Sequence, residues 1–171
     1  MFDLILPYLI GLALGITPQT DAADAPLPPV VAEEVGSGDA PTGRTPEDQT
    51  PTGKFTTAAE IKPILGATQA NWVAVRDYSG QDLLYFTHLL AWRCGLWDIH
   101  YGVNGAPADE PVVMEPCHTD TAQPNGLADV ENYLPYLTFP PNSVESVTVA
   151  LTYDDGTTQT ASFARNSILL P

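Results

Sequence analysis

From Trp72 to Arg165 the chain repeatedly alternates apolar and polar side chains, and this period restricts what it can build. Trp72 to Tyr78, Trp97 to Val103 and Ser146 to Tyr153 each alternate, and each run ends in a turn: Ser79-Gly80, Asn104-Gly105 or Asp154-Asp155-Gly156. Side chains in a strand point to opposite faces in succession, and Gly, Asn and Asp accept the positive φ of a tight hairpin. Trp97, Ile99, Tyr101 and Val103 are expected inward, with Asp98, His100 and Gly102 outward. Val147, Val149, Leu151 and Tyr153 are expected to face the core, joined by Ala161 and Phe163 on a return strand from Thr157 to Arg165. Asp82 to Trp92 is apolar on both faces and reads as a long central strand, buried on both sides. Pro111 to Glu115 would be a returning strand. A proline-punctuated connection over 116–143 leaves room for a short extended piece at Tyr136 to Phe139.

Ahead of the strands, Thr57-Ala58-Ala59-Glu60 matches a capping box, and Ile61, Ile64 and Leu65 share one helical face. Pro63 implies a kink or a restart, because it removes a hydrogen bond and crowds the Ala59 carbonyl. The expected fold is mainly β: an antiparallel immunoglobulin-like sandwich of six to seven strands with one short N-terminal helix, an α+β arrangement being the alternative. Ile99 to Gly105 resembles the middle hairpin of bacterial immunoglobulin-like and fibronectin-like modules, and Ser146 to Gly156 resembles their final hairpin. That resemblance implies a fold class and assigns no active-site residues.

Two segments precede this domain, which is expected over 54–171. Leu4 to Ile16 is an uncharged apolar run, about 20 Å long as a helix and short of a bilayer core of about 30 Å. With Thr20 and Ala22 before a cut at Ala23, residues 1–22 read as a signal peptide, despite Asp3 where a basic residue is usual, or as a short membrane anchor. Residues 23–53 read as a disordered spacer, rich in proline and acid and too poor in large side chains to offset the entropy of ordering. The expected location is periplasmic or extracellular, with membrane contact at most through residues 1–22.

The formal net charge is −15, with six Lys and Arg residues in the whole chain. Six cations cannot build a phosphate-tracking surface, so nucleic acid and anionic lipid head groups are excluded as partners. The two cysteines, Cys94 and Cys117, are expected to form a disulfide in an oxidising compartment. A metal site from Cys94, Cys117, His118, His88 and Asp120 has permissible ligand types but lacks the usual close ligand pairs. A dyad using Cys117 or a serine with His118 or His88 lacks a nucleophile elbow.

No catalytic motif occurs and no cofactor is implied. His118 and Asp120, in a loop, form the most plausible functional pair. Tyr133 and Tyr136 are candidate stacking residues, whereas Trp92, Trp97 and Tyr101 are assigned to the core. His88 is assigned to the core as well, His100 to solvent, and Asp154 and Asp155 to a turn. The expected function is a non-catalytic binding or accessory β-domain of an exported envelope protein, its partner a protein or a glycan. The alternative is a small secreted hydrolase-like enzyme, metal-assisted or not, that uses His118 and Asp120.

Overall fold

A computed structural model describes residues 43–171. The segment read as a signal peptide and the first part of the spacer lie outside the described residues. Helix α1 spans Ala58–Ala67 after the cap residue Thr57. The Glu60 carboxylate reaches back over the preceding chain, accepting from the amides of Gly53 (2.6 Å) and Thr56 (3.0 Å) and from the Thr57 hydroxyl (3.1 Å). The helix runs through Pro63 without interruption. Ala59, whose carbonyl loses its donor, is exposed. Ile61 and Leu65 are fully buried, and the Trp72 indole donates to the Leu65 carbonyl at 2.9 Å.

Seven strands follow: β1 Ala74–Tyr78, β2 Gln81–Tyr85, β3 Leu96–Val103, β4 Glu110–Pro111, β5 Tyr136–Phe139, β6 Ser146–Tyr153 and β7 Thr158–Ala164. Two helical turns, α2 Thr87–Leu90 and α3 Arg165–Ile168, and 3₁₀ turns at Gln69–Asn71 and Arg93–Gly95 accompany them among the described residues. The strands form two antiparallel sheets, one ordered β1-β2-β5 and the other β4-β3-β6-β7. Ser79 and Gly80 both take positive φ, 53° and 74°, as a tight β1–β2 hairpin requires. Val75 and Leu84 from the first sheet share one apolar core with Ile99, Val149 and Leu151 from the second and with Ile61 and Leu65 of α1. Val147, Val149, Leu151 and Tyr153 are buried, so the last hairpin holds the expected register.

Three expectations are corrected. The long strand over Asp82–Trp92 stops at Tyr85 and becomes α2, followed by a 3₁₀ turn at Arg93–Gly95. Phe86, Leu89 and Leu90 are all buried, and their i, i+3, i+4 spacing is helical as readily as it is apolar on two strand faces. The return strand over Pro111–Glu115 contracts to β4, because only Glu110 and Pro111 pair with β3. Trp97 leaves the core: a register shift between Leu96 and Asp98 places it in a bulge. There its indole donates to Glu47 (2.9 Å) and the Arg44 guanidinium lies over its ring at 5.6 Å.

Asp154 lies in the β6–β7 turn, as expected, and also holds the start of α1. It is 2 % exposed, and its Oδ1 accepts from the Ala58 amide at the start of α1 (2.8 Å) and from Gln49 (2.9 Å). Its Oδ2 is buried without a partner among the described residues. Burial pushes this carboxyl above the ordinary aspartate range, and nearby Glu47 and Asp155 push the same way. Residues 43–50 lie along the domain, through these contacts and the Glu47 amide on the Asp154 carbonyl (2.8 Å).

Candidate functional site

The loop that carries His118 and Asp120 is held from inside. Cys94 and Cys117 are bonded to each other, with Cα atoms 5.6 Å apart. Neither sulfur is then available as thiolate ligand or nucleophile. Beside them Arg93, 2 % exposed, spends all five guanidinium N–H groups on main-chain carbonyls. Nε donates to Glu115 (2.5 Å), Nη1 to Leu90 (3.2 Å) and Asn125 (2.6 Å), and Nη2 to Pro116 (3.0 Å) and Gly126 (3.1 Å). Glu115, 4 % exposed, accepts from the amides of Ala128 and Asp129 and from His118 Nε2 at 2.7 Å. Burial opposes the Glu115 charge, but these hydrogen bonds and the nearby Arg93 together hold its carboxyl below the ordinary range.

His118 is therefore joined to Glu115. No hydrogen bond links it to Asp120, which is exposed and makes no side-chain hydrogen bond among the described residues. No three His, Cys, Asp or Glu residues among the described ones are grouped to hold a metal ion. The bridge closes 23 residues of sequence separation. Its reduction, or Cys94→Ser with Cys117→Ser, is expected to lower stability by about 3 kcal/mol, read from urea unfolding with and without reductant.

Tyr136 belongs to a different surface. The pairing of β1, β2 and β5 sets Ala74, Tyr85 and Tyr136 in one row and Arg76, Leu83 and Thr138 in the next. Val75, Leu84 and Leu137 occupy the opposite, core-facing side of the sheet. The outer face thus bears Tyr85 against Tyr136, ring centroids 5.3 Å apart and tilted by 51°. Tyr78, 57 % exposed, lies on the same face with the Arg76 guanidinium 5.7 Å from its ring centre. Tyr133 sits apart in a turn, half-buried, its amide on the Asp129 carbonyl.

At the end of this face lies a recess of about 350 Å³, bordered by Arg76, Tyr85, Thr87, His88, Asn71 and Leu170. Its size is at the small end for ligand pockets. His88 Nε2 is 2.8 Å from the Thr68 hydroxyl, whose own hydrogen goes to the Ile64 carbonyl at 2.7 Å. The hydroxyl must then accept, so Nε2 carries a proton. Burial holds the His88 ring below the ordinary histidine range. In the neutral ring Nδ1 is an acceptor, and it has no partner among the described residues.

A second recess, about 450 Å³, lies beside the disulfide loop. Phe55 and Trp92 meet there edge to face, and the Trp92 indole nitrogen is buried without a partner among the described residues. His118 and Asp120 do not border it. His100 is half-buried on β3, paired with Ala150 and Pro111.

Sequence reasoning singled out Tyr136 but not Arg76, Tyr78 or Tyr85, which lie on the same face. The available signal was the β1–β2 alternation about Ser79-Gly80, which already sets Arg76, Tyr78, Leu83 and Tyr85 on one face. Comparison with protein-family models, with curated proteins and with solved structures finds no match.

Proposed function

We propose that this chain is an exported protein whose domain is an immunoglobulin-like sandwich that binds a glycan, without catalysis, through the outer face of β1, β2 and β5. The observation that carries the reading is the outward Tyr85–Tyr136 pair with Tyr78 beside it. Tyrosine rings offer flat apolar faces for the C–H faces of sugars and hydroxyls for their polar edges. The strand order supports the sandwich reading: a β1–β2 hairpin with β5 against β2, opposed to β3 and β6 flanked by β4 and β7. Leu83, only 8 % exposed although on the outer face, gives that surface an apolar floor.

Binding of the full chain to immobilised polysaccharides of defined sugars tests this. Tyr85→Ala and Tyr136→Ala are each expected to weaken binding about threefold to tenfold, whereas Tyr85→Phe, which keeps the ring face, retains most of it. Unchanged binding in both alanine variants would sink the reading.

Export rests on the apolar run and on the disulfide, which persists in oxidising compartments. Intact mass after alkylation without reductant checks it: the expected species lacks residues 1–22 and carries no alkyl group. A chain retaining residues 1–22 would instead support membrane tethering.

A further inference from the structure

We infer that the recess at the end of the tyrosine face takes an acidic sugar, a saccharide carrying a single carboxylate of the uronic-acid type, with Arg76 as the carboxylate partner. This deepens the glycan reading and rests on it. Among the described residues each of the other basic side chains already has an oxygen partner. Arg44 meets Asp98, Lys54 the Thr121 carbonyl, Lys62 Asp155, Arg93 its five carbonyls, and Arg165 Asp82. Arg76 has no hydrogen-bonded oxygen among them, only the Tyr78 ring beneath it. In a chain of net charge −15, a basic side chain without any oxygen partner is the exception among the described residues, and this one borders a cavity.

A planar guanidinium matches a carboxylate with two parallel hydrogen bonds. The rest of the recess suits a sugar ring: the bare Nδ1 of neutral His88 accepts from a hydroxyl, Thr87 and Asn71 can donate or accept, and Tyr85 supplies a ring face. The overall acidity argues for one carboxylate and against a polyanion, which the surrounding negative field would repel. A peptide added along the free edge of β1 is disfavoured, because the chain's own Leu170 amide already binds the Val75 carbonyl there at 2.7 Å.

Titration calorimetry on the full chain separates the possibilities. The probes are a trisaccharide with one glucuronate between neutral hexoses, the same trisaccharide with glucose in its place, and a short peptide with a free C-terminal carboxylate. The acidic trisaccharide is expected to bind about tenfold tighter than the neutral one, and added salt should erode that preference. Arg76→Gln should abolish the preference, weakening the acidic trisaccharide about tenfold more than the neutral one; Arg76 is exposed, so the variant should fold, which its melting curve checks.

Equal wild-type binding of the two trisaccharides overturns the carboxylate assignment and leaves the glycan face standing. Binding of neither overturns both. Equal loss of both in Arg76→Gln assigns Arg76 to the shape of the face and overturns its role as anion partner. Tighter binding of the peptide overturns the sugar assignment in favour of a peptide terminus.

Discussion

Arg93→Met is expected to lower unfolding free energy by about 3–5 kcal/mol and to release the disulfide loop, the largest effect of any single substitution considered for this domain. The wild-type guanidinium has no N–H left unpaired, and its acceptors come from Leu90, Glu115, Pro116, Asn125 and Gly126. Burial pulls the guanidinium below its usual range, and the Glu115 charge opposes that pull. Methionine fills much of the volume but leaves five carbonyls without a donor and Glu115 buried without its counter-charge. Lysine has three donors on a single nitrogen and cannot reproduce the fork, so Arg93→Lys should fall between the two. Urea unfolding gives the stability, and hydrogen exchange at Ala128 and Asp129, whose amides bind Glu115, reports the loop. A stability loss below about 1 kcal/mol, with those amides still protected, would show that the disulfide alone holds the loop.

That network was not legible in the sequence, and the reason is physical. Arg93 is satisfied by main-chain oxygens, which every residue possesses, so no side-chain pattern announces its partners. The pairs that were legible carry their own chemistry: two cysteines, and hairpins in which alternation and a turn agree, as at Ser146–Ala164. Where one signal served two structures the reading failed. Phe86, Leu89 and Leu90 fit a helical turn and a two-faced strand equally well. Trp97 shows a different limit, since a bulge moves one residue out of an otherwise correct alternation that still sets Ile99, Tyr101 and Val103 against the core. The candidate face was half visible. Tyr136 could be singled out, but its partner Tyr85 depends on β5 pairing with β2 across a long connection, which no local pattern encodes.

Asp82→Asn is expected to cost about 3 kcal/mol at neutral pH and to flatten the acid limb of the stability profile. Asp82 is fully buried on the inner side of β2, where its two oxygens accept from Arg165 Nη1 (2.6 Å) and Nη2 (2.8 Å). Its Oδ2 also accepts the Val144 amide at 3.1 Å, and Arg165 Nη1 returns to the Val144 carbonyl at 2.8 Å. Arg165 directly follows β7, so the pair fastens the three-stranded sheet to the end of the four-stranded one. The Arg165 hydrogen bonds outweigh desolvation and hold the Asp82 carboxyl at about 2, below its ordinary 3.8. A carboxyl depressed in the folded state stabilises fully above its unfolded value. That contribution is lost as pH falls from about 5 through 3.8 toward 2, because the unfolded chain takes up the proton first. Asparagine offers one acceptor in place of two and turns an amide donor toward the guanidinium. Arg165 is one-fifth exposed, so water recovers part of the loss and keeps the figure at the low end of a buried pair. Arg165→Met should cost more, since it strands a wholly buried carboxylate, and adding Asp82→Asn to it should restore part of the loss. Urea midpoints of wild type and Asp82→Asn, measured from pH 2 to pH 7, should converge at the acid end and separate above about pH 5. Parallel profiles across that range would mean that the Asp82–Arg165 pair contributes nothing that depends on its charge.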